Sequence, residues 1–135
     1  MMMKSKLILT LACATTLTAC QLISPIFVDY NGVRRDVAEW INQQPMLSMQ
    51  QKRSLAQLSK AQQKLVHIDQ ISENEKFEIA KENSIAMHCA YAHVSEKKIT
   101  ALQKQIFGDE QSKILTRYNQ QFPKIKLDTQ SIHCE

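Results

Sequence analysis

An apolar residue, then a serine, then a glutamine or glutamate three places on occurs at Leu47-Ser48-Met49-Gln50-Gln51 and again at Ile71-Ser72-Glu73-Asn74-Glu75. Such a serine oxygen accepts a bond from the backbone amide three residues later, while the side chain at that position returns to the serine amide. Ser48 and Ser72 are therefore read as helix caps. A weaker copy stands at Val94-Ser95-Glu96-Lys97-Lys98, where Lys98 has no acceptor to complete the box. Both a break at Ser95 and a helix running through it fit, so the stretch from Ser48 to Phe107 holds three helices or two. Only two glycines and three prolines occur in 135 residues, so the punctuation that strands require is scarce. Glutamine is abundant beside Ala, Leu, Lys and Glu, all residues that lose little on entering a helix. The expectation is an all-α fold, a small antiparallel bundle of about four to five helices with short turns.

The apolar spacing supplies the faces. Val33, Val37, Trp40 and Ile41 fall at helical intervals before Pro45, with Trp40 expected as a core anchor. Leu55, Leu58, Ala61, Leu65 and Ile68 form a second stripe. Phe77, Ala80, Ser84, Met87, Tyr91 and Val94 form a third in steps of three and four, and Ile99, Leu102 and Ile106 continue beyond Ser95. Gly108 suits a helix C-cap, and Asp109 is placed to open a last helix with Ile114, Leu115, Tyr118 and Phe122 inward, ended by Pro123. The spacings of 24 and 23 residues between the serines follow from similar helix lengths and do not require a solenoid.

The front of the chain is of another kind. Lys4 and Lys6 precede an apolar or small run from Leu7 to Ala19, the order of a secretion signal. Thirteen residues of helix span roughly 20 Å, short of the about 30 Å of a bilayer's hydrocarbon core. The run closes on Leu17-Thr18-Ala19-Cys20, which resembles the lipobox of bacterial lipoproteins: Leu, a small residue, Ala or Gly, then Cys. Thr10-Leu11-Ala12 before Cys13 fits that pattern poorly. The resemblance implies cleavage after Ala19, lipidation of Cys20, and no need for a transmembrane helix, since two or three acyl chains anchor stably where one does not. Gln21 follows the cysteine instead of the Asp linked to inner-membrane retention. Residence at the outer membrane, facing the periplasm, is the corresponding expectation. The chain then divides into a signal peptide at 1–19, a short apolar membrane-proximal tether at 20–30, and a helical domain with a C-terminal tail at 31–135.

Loss of Lys4 and Lys6 with the leader leaves 15 Lys and Arg against 13 Asp and Glu, a formal charge of +2. This balance argues against a nucleic-acid partner, which calls for a strongly basic patch. Between Met46 and Ile68 the only charges are Lys52, Arg53, Lys60 and Lys64. They form either a stripe for lipopolysaccharide phosphates or peptidoglycan carboxylates, or one side of intrachain pairs with Asp69, Glu73, Glu75, Glu78 and Glu82 across a hairpin.

No phosphate-cradling loop, dinucleotide fingerprint or nucleophile elbow is present, nor a His-Glu-x-x-His helix or Cys-x-x-Cys pair. No cofactor, metal site or catalytic residue is assigned. His88-Cys89 and His133-Cys134 are four zinc-type ligands, but neighbours on a helix point about 100° apart and converge poorly. Cys89 and His93 have the i, i+4 spacing of a thiol enzyme, which requires a free, activated thiol. With Cys20 lipidated and Cys13 removed, Cys89 and Cys134 are the remaining thiols, and in an exported chain they are expected to form a disulfide.

Leu47-Ser48-x-x-Gln51 also resembles the Leu-Thr-x-x-Gln signature of the Spy/CpxP periplasmic chaperones, with Ser for Thr. That family is all-helical and holds unfolded clients or senses envelope stress. The lipid anchor and the two further cysteines depart from it. The reading from sequence is a lipid-anchored envelope protein with a binding or structural role. A chaperone-like or stress-sensing module and a Cys89 thiol enzyme are the alternatives.

Overall fold

The computed structural model describes residues 32–135. The leader at 1–19, Cys20 and the tether at 20–30 lie outside the described residues. Among the described residues the regular structure is entirely helical: α1 (Arg35–Gln43), α2 (Met49–Gln63), α3 (Glu73–His93), α4 (Glu96–Phe107) and α5 (Gln111–Gln121), with 3-10 segments at Lys64–Gln70, Gly108–Glu110 and Thr129–Ser131.

Helix α2 is the centre, packed on α1, α3 and α4. Helices α1 and α3 run antiparallel to it, while α4 runs parallel, its start at Lys98 by Gln44 and its later Gln103 by Gln62. Lys52 reaches the Asn42 carbonyl while Gly32 sits by Lys60 and Gln63, and on the other side Gln51 meets His93 while Lys64 meets Glu82. The core joins Val33, Val37 and Ile41 of the α1 region to Leu55, Leu58 and Leu65, then to Ile99, Leu102 and Ile106 of α4, with Ile114 and Phe122 closing one end.

Helix starts follow the serines. Ser48 Oγ accepts from the Gln51 amide at 3.1 Å, and Gln51 Oε1 accepts from the Ser48 amide at 2.8 Å, both halves of the box. At Ser72 the carboxylate does the capping. Glu75 Oε2 accepts from both the Ser72 amide and the Ser72 hydroxyl, each at 3.0 Å, and the Glu75 amide goes to the Ser72 carbonyl. Ser95 resolves the question left by the sequence: Val94 is extended, Ser95 Oγ accepts from the Lys98 amide at 3.2 Å, and α3 and α4 are separate helices.

Several expectations need correcting. Phe77 and Tyr91 do not lie on the packed seam of α3: both are 54% exposed. The buried face is Ala80, Asn83, Ala86, Cys89 and Ala90. Leucines of α2 already fill the space between the two helices, so α3 approaches with its small residues. Trp40 packs on the core only half-buried, with Lys98 Nζ 5.9 Å from its ring centroid. The α2 stripe does not continue as α-helix to Ile68. It tightens into 3-10 after Gln63 and kinks at His67 (φ −108°, ψ 52°). Asp109 pairs with Lys104 at 3.2 Å instead of capping α5. Gly108 does end α4, at φ +61°, where a side chain would be strained.

Candidate functional site

Two residues outside every apolar stripe fix the scaffold. The Arg34 guanidinium grips Asp36 at 2.7 and 3.0 Å and also donates to the Ile106 and Gln105 carbonyls, each at 3.1 Å. Those are last-turn carbonyls of α4 that lack helical partners, at the negative end of its dipole. The Arg34 hydrogen bonds hold the Asp36 carboxyl below the usual carboxylate range, and Asp36 in turn raises Arg34. Asn83, 1% exposed, does the equivalent for α2: its amide donates to the Ala61 carbonyl at 3.2 Å, where α2 is about to end, and to Ile79. Its Oδ1 is buried without a partner. Beside it, buried Gln103 donates to Gln62 Oε1 at 3.2 Å, tying α4 to α2.

The surface feature with most chemistry is the outer ridge of α2. Gln50, Arg53, Gln57, Lys60 and Lys64 recur in steps of three and four and so share one face. Lys52 has turned inward, buried, with Nζ on the Asn42 carbonyl at 3.1 Å. Only one of the acids expected from the next helix faces the ridge bases, Glu82 on Lys64 at 2.5 Å. Asp69 pairs with Arg117, and Glu73 with Lys76. Lys60 instead meets Glu135 at 3.0 Å.

Glu135 gets there because the C-terminal tail doubles back. After buried Phe122, which stacks on Tyr118 with centroids 4.9 Å apart, Ile125 packs on the core and Leu127 and Ile132 are half-buried. Burial raises the Tyr118 hydroxyl above its ordinary pKa. Cys134 is joined to Cys89 of α3 by a disulfide, with Cα atoms 5.6 Å apart. Glu135 then lies on α2, its main-chain oxygen accepting from Gln50 Nε2 at 2.8 Å and its amide donating to Gln57 Oε1 at 3.3 Å.

Cys89 is fully buried and bonded, so the free thiol needed by a Cys89–His93 catalytic pair does not exist in this state. His88, His93 and His133 are exposed. Among the described residues no group of three His, Cys, Asp or Glu is placed to hold a metal ion, and no helix is long and apolar enough to cross a membrane. An open groove of about 550 Å³ runs between the 3-10 segment and the start of α3, lined by Lys64, His67, Ile71, Glu75, Glu78 and Ile79. Smaller hollows lie between Asp69 and Arg117, about 170 Å³, and between Ser84 and the start of the tail, about 230 Å³.

The capping serines and the two cysteines were visible in the sequence. Arg34, Asn83 and the end of the tail on α2 were not, because their partners are backbone and side chains from distant elements. Comparison of the chain with protein-family models, curated proteins and solved structures returns no match.

Proposed function

We propose that the chain is a lipid-anchored module of the bacterial cell envelope, held through Cys20 at the periplasm-facing side of the outer membrane and acting by binding or structural contact, not catalysis. The observation that carries this reading is Leu17-Thr18-Ala19-Cys20 behind a lysine-flanked apolar run. The described domain begins at Gly32, 12 residues beyond Cys20. An extended chain of that length reaches at most about 40 Å, so the helices stay near the lipid surface. The membrane is one partner through the lipid. Envelope proteins, peptidoglycan carboxylates or lipopolysaccharide phosphates are the classes that the basic residues of the α2 ridge suit. A mature charge of +2 disfavours nucleic acid.

A chaperone-like role is the second reading. Phe77 and Tyr91 favour it, since α3 exposes both aromatics, with Lys81 and His88 exposed between them. Fractionation of cells expressing wild type and Cys20→Ser tests the anchor. Wild type should sediment with outer membrane, and Cys20→Ser should leave it. Equal membrane association of the two would reject lipid anchoring.

A further inference from the structure

We propose that Cys89–Cys134 is a redox latch: thiol reductants open it, and residues 123–135 form a strap whose release uncovers the α2 ridge. The inference does not depend on where the chain resides.

Three features support it. The two cysteines sit in opposite settings, Cys89 being fully buried in α3 and Cys134 being an exposed residue of the tail. An incoming thiolate therefore attacks the Cys134 sulfur. That forms a mixed disulfide and expels the Cys89 sulfur as a thiolate, which takes a proton. A second thiolate, from the same dithiol or from a second monothiol such as glutathione, then attacks the donor's sulfur in the mixed disulfide and expels the Cys134 thiolate, which takes a proton. Two electrons and two protons pass to the protein, and the donor leaves as a disulfide.

The strap is also held lightly without the bond. Apart from Ile125, which packs partly buried on the core, and half-buried Leu127 and Ile132, its residues are exposed. Its far end rests on the Lys60–Glu135 pair and hydrogen bonds from exposed groups, contacts that water and salt weaken. Once open, Cys134 is tethered to the bundle only through the chain that follows Phe122, so reclosing competes with exchange against an external thiol pool.

The bundle itself does not need the strap. Its buried core runs from Val33 to Phe122, and none of the fully enclosed side chains lies beyond that point. Opening is thus a local event in the sense of a low-stability segment leaving an intact scaffold. What it uncovers is a continuous ridge. Gln50, Gln57 and Lys60 lose Glu135 beside exposed Arg53, turning an intramolecular carboxylate contact into a vacant cationic one.

The test uses the full chain in glutathione buffers of graded oxidised-to-reduced ratio, without denaturant. At each ratio the bridge is quantified by thiol trapping, tail exposure by peptide-level hydrogen exchange, Lys60 by amine-reactive labelling, and helix by circular dichroism. Reduced glutathione should open the bridge, raise exchange across 123–135 at least tenfold, and increase Lys60 labelling severalfold, with the helical signal unchanged. Cys134→Ser should show the same exchange and labelling with no reductant. A bridge that stays closed in fully reduced glutathione, a strap as protected in Cys134→Ser as in wild type, or a helical signal lost with the bridge would each overturn the latch.

Discussion

Replacing Cys134 with serine changes an exposed residue and removes the bridge, and the size of the resulting stability loss reports what the tail does. The bond closes a loop with a sequence separation of 45. If the tail kept its place unaided, the bridge would act only on the unfolded chain, and a loop of this size is worth about 4 kcal/mol in the chain-entropy treatment. If the tail leaves, the folded state regains freedom as well. The freed segment then runs from Phe122, fixed in the core, to Cys134, a separation of 12. Loop entropy scales as (3/2)RT ln n, so only the ratio of the two lengths survives, which is about 1 kcal/mol. Urea unfolding of oxidised wild type and Cys134→Ser measures the difference directly. A loss near 1 kcal/mol accompanies a released strap. A loss near 4 kcal/mol with unchanged tail exchange would mean that the strap is a rigid part of the fold, and the reasoning from its exposed contacts would be refuted.

Three further outcomes follow from the geometry. Asn83→Ala should cost about 2–3 kcal/mol in the same urea experiment, combining a buried carbonyl at Ala61 left unpaired with a small cavity; a loss under 0.5 kcal/mol would show that the Ala61 contact is incidental. Ser48→Ala should cost about 1 kcal/mol and Ser72→Ala less, since the Ser72 amide keeps its bond to Glu75 whatever its side chain; equal losses would contradict the different cap geometries. Glu75, through the Ser72 amide and hydroxyl, and Asp36, chiefly through hydrogen bonds from Arg34, have carboxyls lowered in the folded state. Their contribution is therefore present above the ordinary carboxylate pKa and lost as pH falls through the lowered values. Glu75→Gln and Asp36→Asn should each flatten the acid side of a stability–pH profile, and a profile of unchanged slope would speak against both contacts.

The helical class, the serine caps and the apolar stripes of α1, α2, α4 and α5 were legible because each rests on local rules of spacing and hydrogen bonding. The break at Ser95 was half-legible: the serine marked it, but Lys98 withheld the second half of the signal. The face of α3 was not legible, because Phe77 and Tyr91 carry the apolar character while Ala80, Ala86 and Ala90 carry the packing. Only the leucines opposite decide that small residues face inward there. Asn83, Gln62 and Gln103 look like solvent residues in a sequence, and only partners from another helix make them interior ones. The pairing of Cys89 with Cys134 followed from assigning the other two cysteines to the leader and the lipid. That Glu135 continues onto Lys60 depended on the course of the tail, which thirteen mostly polar residues do not specify.

Anchoring through Cys20 is tested most directly by intact-mass analysis of the protein recovered from bacterial envelopes. The mass should correspond to loss of residues 1–19 and addition of lipid at Cys20, with proteolytic fragments placing all of the added mass on the new N-terminal residue. A mature protein beginning elsewhere, or an unmodified Cys20, would contradict the anchor.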